Sequence, residues 1–431
     1  MTLTGIFILS FLCPWAIAQG SVSSQSTLTE EDAVSSAIKN NYELKQAMIS
    51  VEFAKIDLQK AGLWPNPEGE FSFHNDKFYA NEGEGGYEYG LNQAVPISGR
   101  IIFQKRTAKL GIERAEWQLK DIKRQVIALV RKTYYEVSTL EQKEEILNIL
   151  VKTNQDFLKS VKARLAQAEV SSVDISLARG EILLLNQELA EVKAHIYETR
   201  STLNQLMGQD LNAPFTIVPQ ALIFPSIDLK TVTQNSLENR SDLKAKEIEE
   251  KMGSAALSLA KAMQIPDITI GGFFQKDKSR IDVNNQPIRS SSRFLGFKIL
   301  IPLPFFNHNQ GEIARSKVEN ESVGIQYEAL YKQITKEAGQ AYIRLTTSKE
   351  ILDSYENGMM EEVKKSLKLI QNAYLQGQVN IFDVVQTQGK VYTIEKSYLE
   401  ASQSAREAII DLDSVMGMDF QNEKKEITHE K

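Results

Sequence analysis

The feature that most constrains this chain is an internal duplication. Residues 168–174 match residues 377–383, which lie 209 positions further along, and Leu206-Met207-Gly208 matches Val415-Met416-Gly417 at the same spacing. Between these anchors, apolar residues recur every three or four positions in both copies, which is a sustained heptad pattern. A duplicated pattern constrains the architecture more strongly than local propensity does, so we expect two structurally equivalent halves.

Both halves have the same predicted order of elements, namely helix, strand, strand, long helix and helix. In the first half, 28–213, we predict a helix at 30–63, strands at 68–78 and 87–96, and helices at 100–167 and 171–207. In the second half, 227–417, we predict a helix at 228–263, strands at 267–276 and 293–302, and helices at 311–376 and 380–416. A linker at 214–226 and a polar tail at 418–431 complete the chain.

The helix lengths indicate how each half is built. At about 1.5 Å per residue, helix 100–167 is roughly 100 Å long, and helices 30–63 and 171–207 together have about the same length. We therefore expect the two shorter helices to stack end to end beside the long one. Helices of this length exceed any globular core and must pair laterally, which predicts a coiled-coil wall or tube.

The predicted strands have a different period. In residues 87–95 and 293–301, large apolar side chains alternate with small or polar ones. This pattern is typical of strands that face lipid in a β-barrel, although a soluble sheet packed on helices would also produce it. Four strands cannot close a barrel or cover their own edges, so a barrel here requires several subunits. The connections 79–86 and 277–292 are polar, and we predict that they are loops.

Composition and the N-terminal segment narrow the class of protein. With 50 Lys and Arg against 56 Asp and Glu, the chain has no basic surplus for binding nucleic acid. Residues 1–18 have the short apolar run and small residues of a signal peptide, which predicts export. The only cysteine, Cys13, lies in that segment behind the bulky Leu12, so we do not expect lipidation. No later stretch approaches 18 consecutive apolar residues, so no transmembrane helix is predicted.

Chemistry-bearing motifs are sparse. The four histidines are far apart in the sequence and have no acidic residues at metal-ligand spacing: His74, His195, His308 and His429. Phosphate-binding loops, nucleophile elbows and zinc-binding helices are absent from the sequence. We therefore expect no enzymatic activity, no cofactor and no specific metal site.

Two segments carry a family resemblance. Residues 301–313, IPLPFFNHNQGEI, and residues 373–385, AYLQGQVNIFDVV, together with the duplicated plan, resemble the TolC family of outer-membrane factors and its heavy-metal efflux branch, typified by CzcC. The resemblance implies a homotrimer that closes a twelve-stranded barrel in outer-membrane lipid above an α-helical tunnel. It also implies two protein partners, a periplasmic adaptor and an inner-membrane pump of the resistance-nodulation-division type.

The same resemblance assigns residues 375–383 to a periplasmic hairpin tip. Gly377 permits a tight turn there, and Asn380 can cap the following helix. The candidate gate residues are Asp383, Gln386 and Asp174. The candidate adaptor-contacting residues at the two tips are Ala168, Val170, Ser171, Gly377, Val379 and Asn380. An acid at a tip would be presented three times around a trimer axis, but Asp383 and Asp174 would also simply stabilise helix N-termini, and both alternatives stay open.

The predicted function is a passive exit duct of a tripartite efflux system. The resemblance to the metal-efflux branch favours heavy-metal cations as cargo, with drugs as an alternative. Two other functions remain open, namely the outer-membrane channel of a type I protein secretion system and a periplasmic coiled-coil scaffold without a channel.

Overall fold

The protein is mainly helical with a small β part. The structure is a computed structural model that describes residues 26–78, 83–284, 286–356 and 359–418. The predicted signal peptide, 1–18, lies outside the described residues, as do 79–82 of the first predicted loop and all but the first residue of the predicted tail, 418–431.

The described elements follow the duplicated plan. Those of the first half are β1 (Ser26–Leu28), α1 (Glu30–Asn40), α2 (Tyr42–Ala61), β2 (Glu68–Asn75), β3 (Gly85–Val95), α3 (Arg100–Ala166) and α4 (Ser172–Leu206). They are followed by β4 (Phe215–Ile217), α5 (Leu229–Asn239), α6 (Ser241–Ala262), β5 (Ile268–Val283), β6 (Gln286–Leu300), α7 (Gln310–Glu356), α8 (Met359–Leu375) and α9 (Ile381–Val415).

The long helix α3 is flanked by two shorter helices, as the sequence predicts. Its 67 residues pack against α2 near the sheet and against α4 towards the opposite end. Asn41 joins these two partners, because its Oδ1 accepts the N–H groups of Glu43 and Leu44 at 2.9 and 3.2 Å and so caps α2. Its Nδ2 donates to the carbonyl oxygen of Leu206 at 3.0 Å, so α2 begins where α4 ends.

A left-handed glycine makes each end-to-end joint possible. Gly208 has φ +65°, and a Cβ there would lie 2.7 Å from the carbonyl oxygen of Asn40. Its N–H donates to the Gln205 carbonyl at 3.0 Å, which terminates α4. In the second half Gly417 has φ +68°, and a Cβ would lie 2.9 Å from the Asn239 carbonyl carbon. Both positions therefore require glycine for its conformation and for its lack of a side chain.

The main core surrounds the first joint and includes two strands that the sequence analysis missed. β1 and β4 pair in parallel, and Phe215 and Ile217 of β4 are buried in this core. The hydroxyl of the fully buried Tyr134 donates to the carbonyl oxygens of Val218 and Leu28 at 2.8 and 3.1 Å. The predicted linker 214–226 is thus partly a structural strand, and its polar backbone is satisfied by pairing inside the core.

A buried ionic cluster connects the two halves. Arg131 of α3 lies between Glu30 of α1 at 2.5 Å and Asp413 of α9 at 2.8 Å, and all three side chains are nearly buried. The Tyr135 hydroxyl donates to the second carboxylate oxygen of Glu30 at 2.6 Å. Burial raises the pKa of the Asp413 carboxyl, and Arg131 opposes that shift. Each charge is thereby paired, which buried charges require.

The larger sheet has the strand order β2-β3-β5-β6 and is antiparallel throughout. One face has rows of exposed apolar side chains, such as Phe71, Tyr89, Phe274 and Leu295 in register. The opposite face is polar and rich in glycine. There Lys298 of β6 forms an ion pair with Glu70 of β2, reaching across the two middle strands.

Two predicted helices were wrong in the same respect. The predicted helices 30–63 and 228–263 are each divided, because Asn41 and Arg240 have non-helical backbones with ψ of 133° and 123°. These breaks let α1 and α5 turn onto the core while α2 and α6 continue the stacks. The described residues of the predicted helix 311–376 are helical and form α7 and α8, and residues 357–358 between them lie outside the described residues.

The predicted loop 277–292 was also wrong. Pairing in the second hairpin continues from Asp277 opposite Ser292 to Val283 opposite Gln286. The polar side chains of this segment conceal its strand character, because an antiparallel ladder is stabilised by backbone hydrogen bonds as well as by apolar contacts. The extra residues of the second half therefore lengthen a hairpin.

We predict that Gly208→Ala destabilises the protein. The added methyl group would both strain a left-handed backbone and overlap Asn40, at a combined cost of about 2 kcal/mol or more. Thermal unfolding followed by circular dichroism should show a lower midpoint. Gly180→Ala is the matched control, because Gly180 is helical and has open space around it, so the midpoint should stay equal or rise. Equal midpoints for the wild type and Gly208→Ala would contradict the conclusion that the joint requires glycine at position 208.

Candidate functional site at the hairpin tips

Both helical hairpins end in the same kind of turn, at the end of the molecule remote from the sheet. Ala168, with φ +58°, follows α3, and Gly377, with φ +75°, follows α8. In each turn two N–H groups return to the preceding helix, from Ala168 to the Leu165 carbonyl at 2.9 Å and from Gly377 to that of Tyr374 at 2.9 Å, for example. The left-handed conformation costs alanine about 1 kcal/mol and costs glycine almost nothing, so the turn at Ala168 is more strained than the turn at Gly377.

The helices that leave the tips are capped differently. Ser171 caps α4 by accepting the Val173 N–H at 3.0 Å. Asn380 caps α9, as its position predicts, and forms a reciprocal capping box with Asp383 through hydrogen bonds of 3.0 and 3.2 Å. Asp383 therefore stabilises its helix N-terminus, whereas the matching Asp174 has a different partner.

Asp174 fastens the first tip to the second. Its Oδ2 accepts a hydrogen bond of 2.9 Å from the hydroxyl of Tyr374, on the last turn of α8. Arg164, on the last turn of α3, donates to the backbone carbonyl of Tyr374 at 2.5 Å and stacks over its ring at 5.1 Å. Arg164 also pairs with Glu169 at 3.0 Å. A tyrosine from one hairpin is thus held by an acid and a base from the other.

Burial keeps the Tyr374 hydroxyl protonated up to alkaline pH. Tyr374 is 2% exposed, and burial together with the carboxylate of Asp174 raises the pKa of its hydroxyl to about 12. Phe157 packs against its ring at 5.3 Å, within a small apolar cluster that underlies both tips. The hydroxyl therefore stays protonated, and donates, over the whole physiological range.

The predicted adaptor-contacting residues fall into two groups. Four of them are exposed at the turns: Ala168, Ser171, Gly377 and Asn380. Val170 and Val379 instead pack partly against the apolar cluster, at equivalent places in the two halves. Of the predicted gate residues, Gln386 is exposed one turn beyond Asp383 on α9, and Asp174 and Asp383 are half-buried.

Sequence reasoning missed Tyr374 and Arg164. Tyr374 lies inside segment 373–385, which carries the family resemblance, so its position in the sequence could have marked it as a candidate. Arg164 has no such signal, because many basic residues follow one another on α3 and only the packing of α8 beside α3 singles it out.

Comparison with known proteins now identifies the fold. The sequence model for outer membrane efflux proteins matches residues 33–209 and 232–418, one match in each half. The chain belongs to the outer membrane efflux protein family. It is therefore an efflux protein of the outer membrane, and the family expected from its two characteristic segments is confirmed.

Individual relatives of this efflux protein agree with that assignment. It is 21% identical to the cobalt-zinc-cadmium resistance protein CzcC of Cupriavidus metallidurans, over 95% of this chain and 97% of that protein. It is 19% identical to the pyoverdine export outer membrane protein OpmQ of Pseudomonas aeruginosa, over 90% of this chain and 85% of that protein. The solved structure of CusC aligns with a TM-score of 0.75 and 17% identity, over 90% of this chain and 92% of CusC. The mainly helical fold with a small β part is thus shared.

Two further observations concern the described part of the efflux protein. None of the helices within it combines the length and apolar character needed to cross a membrane. Nor does it bring together three or more His, Cys, Asp or Glu side chains in an arrangement that could hold a metal ion.

We predict that Tyr374→Phe loosens the tips below pH 10. A hydrogen bond to a carboxylate contributes about 1.5–3 kcal/mol, which the variant loses. Since the folded state raises the pKa of Tyr374 from 10.0 to about 12, the contribution is complete below pH 10 and disappears between pH 10 and 12. The difference in thermal midpoint between the wild type and Tyr374→Phe should therefore narrow from pH 8 to pH 12.

Asp174→Asn provides the control for this titration. Removing the negative charge while keeping an acceptor oxygen should lower the pKa of Tyr374, as seen in the tyrosinate absorbance at 295 nm. A midpoint difference that does not change with pH would show that Tyr374 contributes packing alone.

Proposed function

We propose that three copies of the chain assemble into a channel that forms the exit duct of a tripartite efflux system. An inner-membrane pump of the resistance-nodulation-division type and a periplasmic adaptor supply energy and cargo, and the chain performs no catalysis of its own. The observation that carries this proposal is a four-stranded sheet with an exposed apolar face, joined directly to four rows of helix that lie side by side. Within the described residues, each edge strand of this sheet pairs with a neighbour on one side only.

The open edges of one copy match those of another. β2 and β6 are the edges of the sheet, and below them α2 and α7 are the edges of the helical layer, whose order is α2-α3-α6-α7. If β6 of each copy pairs with β2 of the next, three copies close a ring of twelve strands above a ring of twelve helices. Exposed apolar residues at helical spacing support contact along the helices, namely Ile49, Phe53 and Ile56 on α2 and Val318 and Ile325 on α7.

The apolar sheet face supports placement in lipid. Leu295 and Phe297 of β6 are 80% and 87% exposed, a poor arrangement in water for residues of this size. The opposite face has the Glu70–Lys298 ion pair and Asn92, which donates to Glu70 at 3.0 Å. In a closed ring the apolar face would contact acyl chains and the polar face would line a water-filled lumen.

Cysteine cross-linking combined with conductance tests this assembly. In a Cys13→Ala background, Phe71→Cys on β2 is paired in turn with cysteines replacing Arg293, Leu295, Phe297 or Ile299 on β6. We expect at least one pair to give a disulfide-linked trimer, and the purified protein to form ion-conducting pores in a planar bilayer.

The matched control replaces Phe71→Cys by Leu91→Cys. Leu91 is exposed on the same face but belongs to the inner strand β3, so none of its pairings should link different chains. Absence of both a covalent trimer at every register and any conductance would favour a periplasmic scaffold instead.

We further propose that the tips form the periplasmic gate and the docking site for the adaptor. Asp383, Gln386 and Asp174 are the gate residues, and the turns at Ala168, Val170, Ser171, Gly377, Val379 and Asn380 contact the adaptor. Two observations support this: the tips are exposed at the far end from the sheet, and the Tyr374–Asp174 contact gives the two hairpins a breakable connection. Three copies would place three Asp383 carboxylates around one entrance.

Heavy-metal cations are the proposed cargo. The support is the similarity to CzcC along nearly the whole of both chains, since that protein is named for cobalt, zinc and cadmium resistance. An acidic entrance would favour the approach of such cations over that of anions.

Asp383→Asn tests the gate. The amide oxygen can still cap the helix, so the fold should persist while the entrance loses one charge per copy. We expect the Co²⁺ or Zn²⁺ concentration for half-block of the pore current to rise about fivefold, which corresponds to about 1 kcal/mol of lost attraction. Asp57→Asn removes the same charge from α2 and should leave the block unchanged. If the Asp383→Asn variant shows unchanged block, Asp383 is not a gate residue, and the proposed exit duct is unaffected.

A further inference from the structure

The apolar face of the sheet does not stop where the strands stop. On β6 the odd-numbered residues point to the same face as Phe71 and Tyr89, and in the sequence the odd-numbered positions stay apolar beyond Leu300. Ile301, Leu303 and Phe305 are 59%, 65% and 78% exposed, and the adjoining Phe306 is 94% exposed. The exposed apolar side chains of the sheet are therefore followed by further exposed apolar side chains at the end of the sheet nearest the helices.

This segment is held in a fixed conformation. The N–H of Phe305 donates to the Leu303 carbonyl at 2.9 Å, and Gln310 Nε2 donates to the Phe306 carbonyl at 3.2 Å. Asn309, with φ +64°, donates through Nδ2 to the Ala260 carbonyl at the end of α6 at 2.8 Å. The two phenyl rings are thus presented outwards by an anchored turn, and their exposure is built into the fold.

Neighbouring elements contribute apolar residues at the same level. Ile97 extends the odd-numbered apolar series of β3 past its end and is 54% exposed, and Ile102 on the first turn of α3 is 71% exposed. We call this band the apolar collar; its members are Ile97, Ile102, Ile301, Leu303, Phe305 and Phe306.

Three exposed cations lie directly beside the collar on α3. Lys105, Arg106 and Lys109 follow Ile102 on the same helix face, about 5–10 Å further along the axis. The opposite face of α3, with Gln104, Thr107 and Gly111, lines the groove between α2, α3 and α6. No acidic residue occurs in α3 before Glu113, so this turn and a half of helix carries net positive charge.

The geometry points to a binding surface for anionic phospholipid. We propose that the collar contacts the acyl chains of the inner leaflet while Lys105, Arg106 and Lys109 bind the phosphate and anionic headgroup. The headgroup layer of a bilayer is about 5–7 Å thick on each side, which agrees with the spacing between Ile102 and the cations. Each cation near an anionic surface favours it over a zwitterionic one by about fivefold.

A second copy of the chain is a less suitable occupant of this surface. α3 is an inner member of the layer α2-α3-α6-α7, so a neighbouring copy that joins at α2 or α7 leaves the outward face of α3 uncovered. Nor would another copy of the same chain specifically need three exposed cations beside an apolar band, whereas an anionic lipid complements both. This inference rests on the proposed placement of the sheet in the outer membrane.

Tryptophan quenching by brominated lipids tests the proposal on the full chain. All three native tryptophans, Trp15, Trp64 and Trp117, are replaced by phenylalanine, and Ile102→Trp provides a single reporter inside the collar. The protein is reconstituted in mixed phosphatidylglycerol and phosphatidylcholine, with either lipid brominated in turn. We expect phosphatidylglycerol to compete at least about fivefold better than phosphatidylcholine for sites beside this reporter.

Charge removal provides the decisive comparison. Lys105→Gln, Arg106→Gln and Lys109→Gln together should reduce the preference to about one. The matched control, Lys152→Gln, Lys159→Gln and Lys162→Gln, removes three charges from the same helix far from the collar and should keep the preference. Equal quenching by both lipids in the parent protein, or a preference that survives the first triple substitution, would overturn the proposal.

A second reporter separates this inference from the proposed function. Phe297→Trp, in the same tryptophan-free background, lies on the apolar sheet face and should be quenched by either lipid. If Phe297→Trp is quenched while Ile102→Trp shows no lipid preference, the collar proposal fails and the membrane placement stands. If neither reporter is quenched, the sheet is not in the bilayer and the proposed function fails with it.

Discussion

The two glycine joints are the contacts on which the rest of the structure depends. Gly208 against Asn40 and Gly417 against Asn239 bring two helix ends closer than any side chain would permit. Because of them, α4 continues into the line of α2, and α9 into the line of α6. A pair of short helices can then serve as the partner of one long helix, and the chain can connect a sheet at one end with hairpin tips at the other.

The halves are bound together at two heights by different chemistry. Near the joints, Arg131 pairs with one acid from each half and all three side chains are nearly buried, so separation there would leave buried charges without partners. At the tips the corresponding polar contacts are made by Tyr374, whose hydroxyl donates to Asp174 and whose backbone carbonyl accepts from the partly exposed Arg164. The ionic contact near the joints is thus buried, whereas the polar contacts at the tips lie beside exposed turns, so local opening would cost less at the tips than at the joints.

Features of the fold that depend on local residue chemistry could be predicted from the sequence, whereas features that depend on tertiary packing could not. The duplication, the long helices and the capping by Asn380 follow from periodicity and local residue chemistry, which a sequence displays directly. The division at Arg240 does not, because arginine is a good helix former and the break is stabilised not only by the neighbouring Asp242 but also by Glu337, which only the tertiary fold brings close. The long second hairpin was concealed by polar residues such as Asp277 and Ser292, and β4 by its shortness. The Tyr374–Asp174 contact joins positions 200 residues apart, so only packing reveals it.

Because α3 is one continuous helix of 67 residues, its length fixes the distance between the sheet and the hairpin tips. Inserting one residue in α3 would rotate everything beyond it by about 100°, so the apolar positions on either side of the insertion would no longer face the same partner. A change in the length of the helical layer that keeps the apolar contacts must therefore come in steps of about seven residues, or roughly 10 Å. It must occur in α3 and in the short helix beside it together. Single insertions or deletions in α3 therefore cannot gradually change the distance between the sheet and the hairpin tips without disrupting the packing of α3.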